Sequence, residues 1–221
     1  IIYFLNQQRS LLALQKAEKM KKQAFADRYP YGIFSCIRTM GHIYKSRGNF
    51  DLSAQYYQEA LDYMLKNMPD QDPSQLYSSL AEYYRNTQKD YATALDYCEK
   101  ALKSAKTERN IAQAMIEKCL VLFRQGRIDE FNDCYKEAVQ MADRCKLSAS
   151  VSLLIAHIYR NILDKQYEQA HAHADQLPNK GPQYHAYIYE YAKDYPNAIK
   201  YLRKYHQQQD STNNLLQLSP N

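Results

Sequence analysis

Apolar and small residues recur along this chain at three- and four-residue steps, the spacing that gathers them on one face of an α-helix. Between Ser35 and Leu65 the series runs Met40, Gly41, Tyr44, then Phe50, Ala54, Tyr57, Ala60 and Leu61, interrupted at Gly48. The pattern predicts two amphipathic helices joined by a tight turn.

The same pattern returns four times. Leu80, Ala81 and Tyr84 lead to Tyr91, Ala94, Leu95, Cys98, Ala101 and Leu102. Cys119 and Leu122 lead to Gly126, Ile128, Phe131, Tyr135, Ala138 and Val139. Ile155, Ala156 and Tyr159 lead to Tyr167, Ala170, Ala174 and Leu177. Ala186 and Tyr189 lead to Tyr195, Ala198, Ile199, Leu202 and Tyr205. The small residue of each first helix falls at 41, 81, 119, 156 and 186, in steps of 40, 38, 37 and 30. Such small residues let paired helices approach closely, with aromatic rings filling the space beside them. A helix pair cannot bury its apolar face alone, so neighbouring pairs stack. The expected fold is all-α, with about five helix pairs over residues 1–209 and a polar tail or linker start at 210–221. Leu11 to Phe25 reads as one more second helix, whose truncated first helix is Ile1 to Gln8. Short linkers are expected at Asp27–Gly32, Asn67–Pro73 and Leu177–Pro182.

Composition adjusts this picture. Only 5 Gly and 7 Pro are present, so tight turns and phosphate-cradling loops are expected to be rare. Tyr reaches 22 while Trp is absent, which suits helix packing and contact surfaces alike. The net charge of +5 is interspersed rather than blocked, which argues against direct nucleic-acid binding. Five cysteines, at 36, 98, 119, 134 and 145, form no CxxC pair. They read as small buried hydrophobes and lean toward a reducing compartment. No apolar run reaches the roughly 18 residues that would cross a membrane. The chain opens on Ile1 rather than Met and reads as a piece of something longer.

Candidate chemistry is thin. Nucleophile elbows, phosphate loops, dinucleotide fingerprints and HExxH are all missing from the sequence. His171 and His173 are two apart and so face different sides of a helix. With His157 and His185 they are the only candidates for a metal, and solvent-facing or satisfied histidines are the favoured reading. Asp129, Glu130 and Asp133 cluster at a helix start, where they complement the dipole. No catalytic residue, metal or cofactor is expected.

The residues Met40-Gly41, Tyr44, Phe50, Tyr57 and Ala60, repeated nearly as well in the second unit, resemble the tetratricopeptide repeat family over about 30–210. The third unit departs, with Cys119 and Phe131 where small residues belong, and the fourth carries extra residues around Asn161 to Gln166. The resemblance implies a right-handed superhelix whose first helices line a concave groove that binds a protein or peptide. Carried over position by position, the groove residues are Arg38, His42 and Lys45, then Glu82, Arg85 and Asn86. The third unit supplies Ile116, Leu120, Phe123 and Arg124, the fourth His157, Arg160 and Asn161, and the last Tyr187. That is a groove with an apolar centre and basic flanks, suited to an acidic peptide. The subtype that clamps C-terminal carboxylates with Lys and Asn is not expected, because Arg38 and His42 stand at those places. The tyrosine richness and the closing Tyr201-Leu202-Arg203-Lys204-Tyr205 with Asp210-Ser211-Thr212-Asn213 resemble the input regions of Bacteroidetes sensor kinases and transcriptional regulators. That implies a sensing module, periplasmic in location; the alternative is a cytoplasmic adaptor that assembles a multiprotein complex. Neither reading fixes an oligomeric state.

Overall fold

The structure is a computed structural model, which describes the backbone of residues 2–147 and 150–217 and the side chains of 9–147 and 150–208. Among the described residues there are eleven α-helices and no strand. They run α1 (Ile2–Ala26), α2 (Pro30–Ser46), α3 (Phe50–Asn67), α4 (Ser74–Tyr83), α5 (Tyr91–Ser104) and α6 (Glu108–Arg124). Then follow α7 (Ile128–Arg144), α8 (Val151–Leu163), α9 (Tyr167–Asp175), α10 (Pro182–Tyr191) and α11 (Tyr195–Gln217). A π-helical turn, Tyr84–Gln88, extends α4, and a 3₁₀ turn, Pro178–Lys180, precedes α10. The chain divides into two compact units, residues 1–125 and 126–221.

In unit 1, α2 packs on α3 and α4 on α5, as the repeat pattern predicts. The fit depends on small residues. A Cβ built on Gly41 would meet the Tyr57 ring at 2.7 and 2.8 Å, so the ring lies where any other side chain would begin. Ala81 and Ala94 are fully buried in the next pair, together with Cys98 and Val121. Around them Ile33, Phe34, Ile37, Leu61, Leu76 and Leu80 form the core. Tyrosines fill the joints: Tyr44 stacks on Tyr56 at 5.3 Å and Tyr84 on Tyr97 at 5.4 Å. Asp72 fastens one connection to another. Its carboxylate accepts from the Ser74 N–H at 2.9 Å, the Lys106 N–H at 2.7 Å and the Asn110 amide at 2.9 Å. Burial acts to raise its pKa, but these bonds outweigh it and hold the group below its ordinary value.

In unit 2, α8 packs on α9 and α10 on α11. Helix α8 is apolar almost all round, with Leu153, Leu154, Ile155, Ala156, Ile158, Tyr159 and Ile162 buried. The small residues Ala170, Ala174, Ala186 and Ala198 are buried on its neighbours.

Four expectations change. Helix α1 is one continuous helix rather than two, because Gln7, Gln8, Arg9 and Ser10 include no breaker. The extra residues at 161–166 make no insertion; they are the end of α8 and a short turn. Helix α11 continues past residue 209 to Gln217, over most of the expected tail; residues 218–221 lie outside the described residues. Tight turns are also common despite the scarcity of Gly. The turns α2–α3, α4–α5, α6–α7, α8–α9 and α10–α11 each contain a left-handed residue. These are Gly48 (φ 77°), Lys89 (φ 55°), Gly126 (φ 79°), Lys165 (φ 59°) and Lys193 (φ 62°). Lysine there is strained by roughly 1–2 kcal/mol. Caps on the following residue stabilise three of these turns, with Asn49, Asp90 and Asp194 accepting the N–H of Leu52, Thr93 and Asn197.

The close crossings generate a prediction. Gly41→Leu and Ala94→Leu overpack their pairs and lower stability by roughly 1–3 kcal/mol each. Ala92→Leu, on the exposed side of α5, stays within about 0.5 kcal/mol of the parent. Urea unfolding of the three variants measures the difference; equal midpoints in all three would mean that the assigned register is wrong.

Candidate functional site

In unit 1 the expected partner-binding residues lie on α2, on the end of α4 and on α6. Arg38, His42 and Lys45 are spaced i, i+4, i+7 on α2 and share one face. The Arg38 guanidinium lies 5.2 Å from the Phe34 ring centroid, and its Nε is buried with no hydrogen-bond partner. His42 is exposed, and its Nδ1 is 2.9 Å from the Tyr57 hydroxyl. Loss of solvent around the ring and the nearby charges of Arg38 and Lys45 lower its pKa. Lys45 forms an ion pair with Glu82 of α4.

One turn further, the chain widens into the π-helical turn, where the Lys89 N–H donates to the Tyr84 carbonyl. Arg85 lies in this turn and is 2% exposed. It binds Glu117 of α6 through two nitrogens, Nε to Oε1 at 2.7 Å and Nη2 to Oε2 at 3.3 Å. Its Nη1 donates to the Asn86 side-chain oxygen at 2.7 Å. Burial pushes the Glu117 carboxyl up, and the Arg85 charge opposes that rise. Arg85 and Glu117 are therefore a buried structural pair rather than a surface feature.

The apolar centre expected from α6 is core. Ile116, Leu120 and Phe123 are 1%, 0% and 3% exposed, so they offer no contact area to a partner. Helix α6 is buried on every side from Cys119 to Phe123. The uninterrupted run Cys119-Leu120-Val121-Leu122-Phe123 was the sequence signal, since a helix apolar all round is a buried one. Arg124 is half-buried.

In unit 2 Arg160, His157 and Tyr187, three of the expected residues, are engaged by neighbours within the unit. Arg160 binds Asp164 through two nitrogens, and its Nη1 donates to Asn132. Asn161 is half-buried. Tyr187 packs on Tyr159 at 5.9 Å and its hydroxyl donates to that of Tyr191 at 3.3 Å.

The histidines do converge, in two pairs. His157 stacks on His173 at 5.2 Å, and its Nδ1 is 2.6 Å from the Tyr135 hydroxyl. His171 stacks on His185 at 4.9 Å with their Nδ1 atoms 2.7 Å apart. One of these nitrogens must carry the proton and the other a lone pair. Asp175 lies 3.4 Å from His185 Nε2. A proton on that nitrogen leaves His185 as the acceptor and His171 as the donor. Tyr189 and Tyr201 enclose the second pair. Among the described residues no group of three or more His, Cys, Asp or Glu is placed to hold a metal ion. Cys36, Cys98 and Cys119 are buried, and Cys134 and Cys145 are half-buried. Among the described residues no helix is long and apolar enough to cross a membrane.

Residues 34–107 match the sequence profile of the tetratricopeptide repeat. A solved structure, "Crystal structure of BtubC (BKLC) from P. vanneervenii", is similar to the chain with a TM-score of 0.59 and 17% identity. The similarity covers 98% of this chain and 94% of that one and, at this identity, shows the fold alone. No curated protein matches the sequence. Tetratricopeptide repeats form non-catalytic scaffolds for protein–protein interaction, and the fold is of that helical-repeat type.

Two predictions arise from these clusters. Glu117→Ala leaves a buried guanidinium without its anion and lowers stability by roughly 3–5 kcal/mol. The double variant Arg85→Met/Glu117→Leu retains most of the parent stability, because it removes both charges. Urea midpoints of the two compared with the parent test this. The second concerns pH. Burial lowers the pKa of His157, His171, His173 and His185 from the ordinary 6.5. Below 6.5 the unfolded chain then binds more protons than the folded one, so stability falls as pH falls. The melting temperature is expected to drop between pH 7 and pH 5, and to drop less in His185→Gln. Equal slopes in the two proteins would exclude His185 as a cause.

Proposed function

We propose that this tetratricopeptide-type scaffold binds an extended acidic peptide of a partner protein along the α2–α4 face of unit 1, and catalyses nothing itself. The observation that carries the reading is the distribution of charge there. Glu82 and Glu117 are taken up by Lys45 and Arg85, whereas among the described residues Arg38 has no carboxylate and its Nε no acceptor. His42 and Asn86 are exposed on the same two elements and add a donor each. A partner carboxylate would supply the missing anion at the terminal nitrogens of this half-buried guanidinium, since its Nε is buried, and a guanidinium can hold a carboxylate with two parallel bonds. An exposed ion pair contributes only about 0–1 kcal/mol, so affinity needs several contacts along the peptide and weakens with salt. A wider role as the receiving part of a signalling or transcription-regulatory protein is supported by the tyrosine-rich repeats and the residues that close them. Assembly of a complex by an adaptor would use the same face.

A displayed library of random peptides selected on the purified protein tests the binding mode. Peptides rich in Asp and Glu are expected to be enriched. Enrichment should be lost with Arg38→Glu and kept with Lys66→Glu, an exposed position on α3. Selection of peptides without acidic residues, or equal enrichment on both variants, would refute the reading.

A further inference from the structure

Helix α11 is the last in unit 2, and one of its faces has no partner among the described residues. Ala198, Tyr201 and Tyr205 turn toward the packed side, where Ala198 is 5% exposed and Tyr201 meets His185 and Tyr189. Tyr195, Ile199 and Leu202, spaced i, i+4, i+7, are 58%, 50% and 43% exposed. At about 100° per residue these three lie within an arc of roughly 60°. Exposed Arg203 and Lys200 follow the seam on the open side, while Lys204 lies on the far side of the helix with its ammonium 5.7 Å from the Tyr201 ring centroid. From Tyr195 to Gln209 the helix contains no Asp or Glu. An apolar seam and a basic flank are thus presented together, with no acidic residue of the same stretch to neutralise them.

We propose that this face docks an acidic amphipathic helix of a partner protein. The seam has the four-three spacing by which one helix packs against another, with the flanking positions setting partner choice by charge. A membrane-surface helix would need a broader apolar arc than three residues one step wide. The charge also argues against a second copy of this chain. Two α11 faces would bring Lys200 and Arg203 against their own kind. The exposed apolar residues of α1, Leu12 and Met20, stand beside exposed Lys16, Lys19 and Lys22 and would meet α11 with the same sign. A helix with Leu at the seam positions and Glu at the flanks complements both features of α11. This inference is independent of the Arg38 face of unit 1.

The experiment uses the full chain and a fluorescent 21-residue peptide with a four-three leucine seam flanked by Glu. Its twin flanked by Lys and vesicles containing phosphatidylserine are the comparison probes. Anisotropy is expected to show saturable binding of the Glu peptide that weakens as salt is added. Ile199→Ser should weaken it at least tenfold, and so should Lys200→Glu/Arg203→Glu, with the latter now preferring the Lys peptide. These are exposed positions, and unchanged melting curves verify that the variants fold. Three results would overturn the proposal: no binding of the Glu peptide, binding indifferent to Ile199→Ser, or vesicle binding that the same substitutions remove while the peptide does not bind. Sedimentation that shows a dimer abolished by Ile199→Ser would assign the face to a second copy instead, and would equally refute it.

Discussion

The helix pairs of unit 1 depend on how near two backbones can come. At Gly41 the Tyr57 ring occupies the space of a Cβ, and at Ala81 and Ala94 the side chains stop at a methyl group with no exposed surface. With the helices this close, the large residues must sit beside the contact instead of in it. That is why the tyrosines appear in stacked pairs along the joints, such as Tyr44 with Tyr56 and Tyr84 with Tyr97. Tyrosine is suited to the place because its ring packs while its hydroxyl reaches a polar neighbour. Tyr57 does both at once, filling the Gly41 crossing and meeting His42.

The same closeness explains what became of the expected groove. Helix α6 is covered on all sides, so Ile116, Leu120 and Phe123 serve the core, and the polar residues next to them had to be satisfied internally. Arg85 and Glu117 answer that requirement. Each would be costly in the interior alone, and together they satisfy one another with two hydrogen bonds. What remains within unit 1 for a partner on α2 and the end of α4 is a short set of residues led by Arg38.

Helix pairing, turn positions and the small-residue crossings were legible in the sequence because each rests on a local rule of spacing. Three features were not. The π-helical turn at Tyr84–Gln88 depends on how Arg85 is satisfied by α6, 32 residues away. The histidine pairs depend on α9 meeting α8 on one side and α10 on the other, although the placement of His171 and His173 on opposite faces was readable. The left-handed lysines were hidden because glycine is the usual sign of such a turn, and of the five turns named above glycine marks two, at Gly48 and Gly126. Within the candidate site, the residues of α2 were named from the resemblance to the repeat family, and their spacing puts them on one face. The burial of Arg85 was not readable, because spacing locates a face and does not say whether another helix covers it, whereas the burial of α6 was written in its apolar run and was missed.

Those lysine turns bear on the order in which the chain acquires its structure. A glycine turn can close at little local expense, so in the α2–α3 pair the bend at Gly48 is available before the helices have met. At Lys89, Lys165 and Lys193 the left-handed bend is disfavoured locally, so the contacts of the assembled pair, with the Asp90 and Asp194 caps beside two of the lysines, must hold it there. In these three pairs the turn follows the packing instead of guiding it. By this measure the turns at Gly48 and Gly126 can bend early, and the pairs closed by lysine acquire their bends as the helices meet.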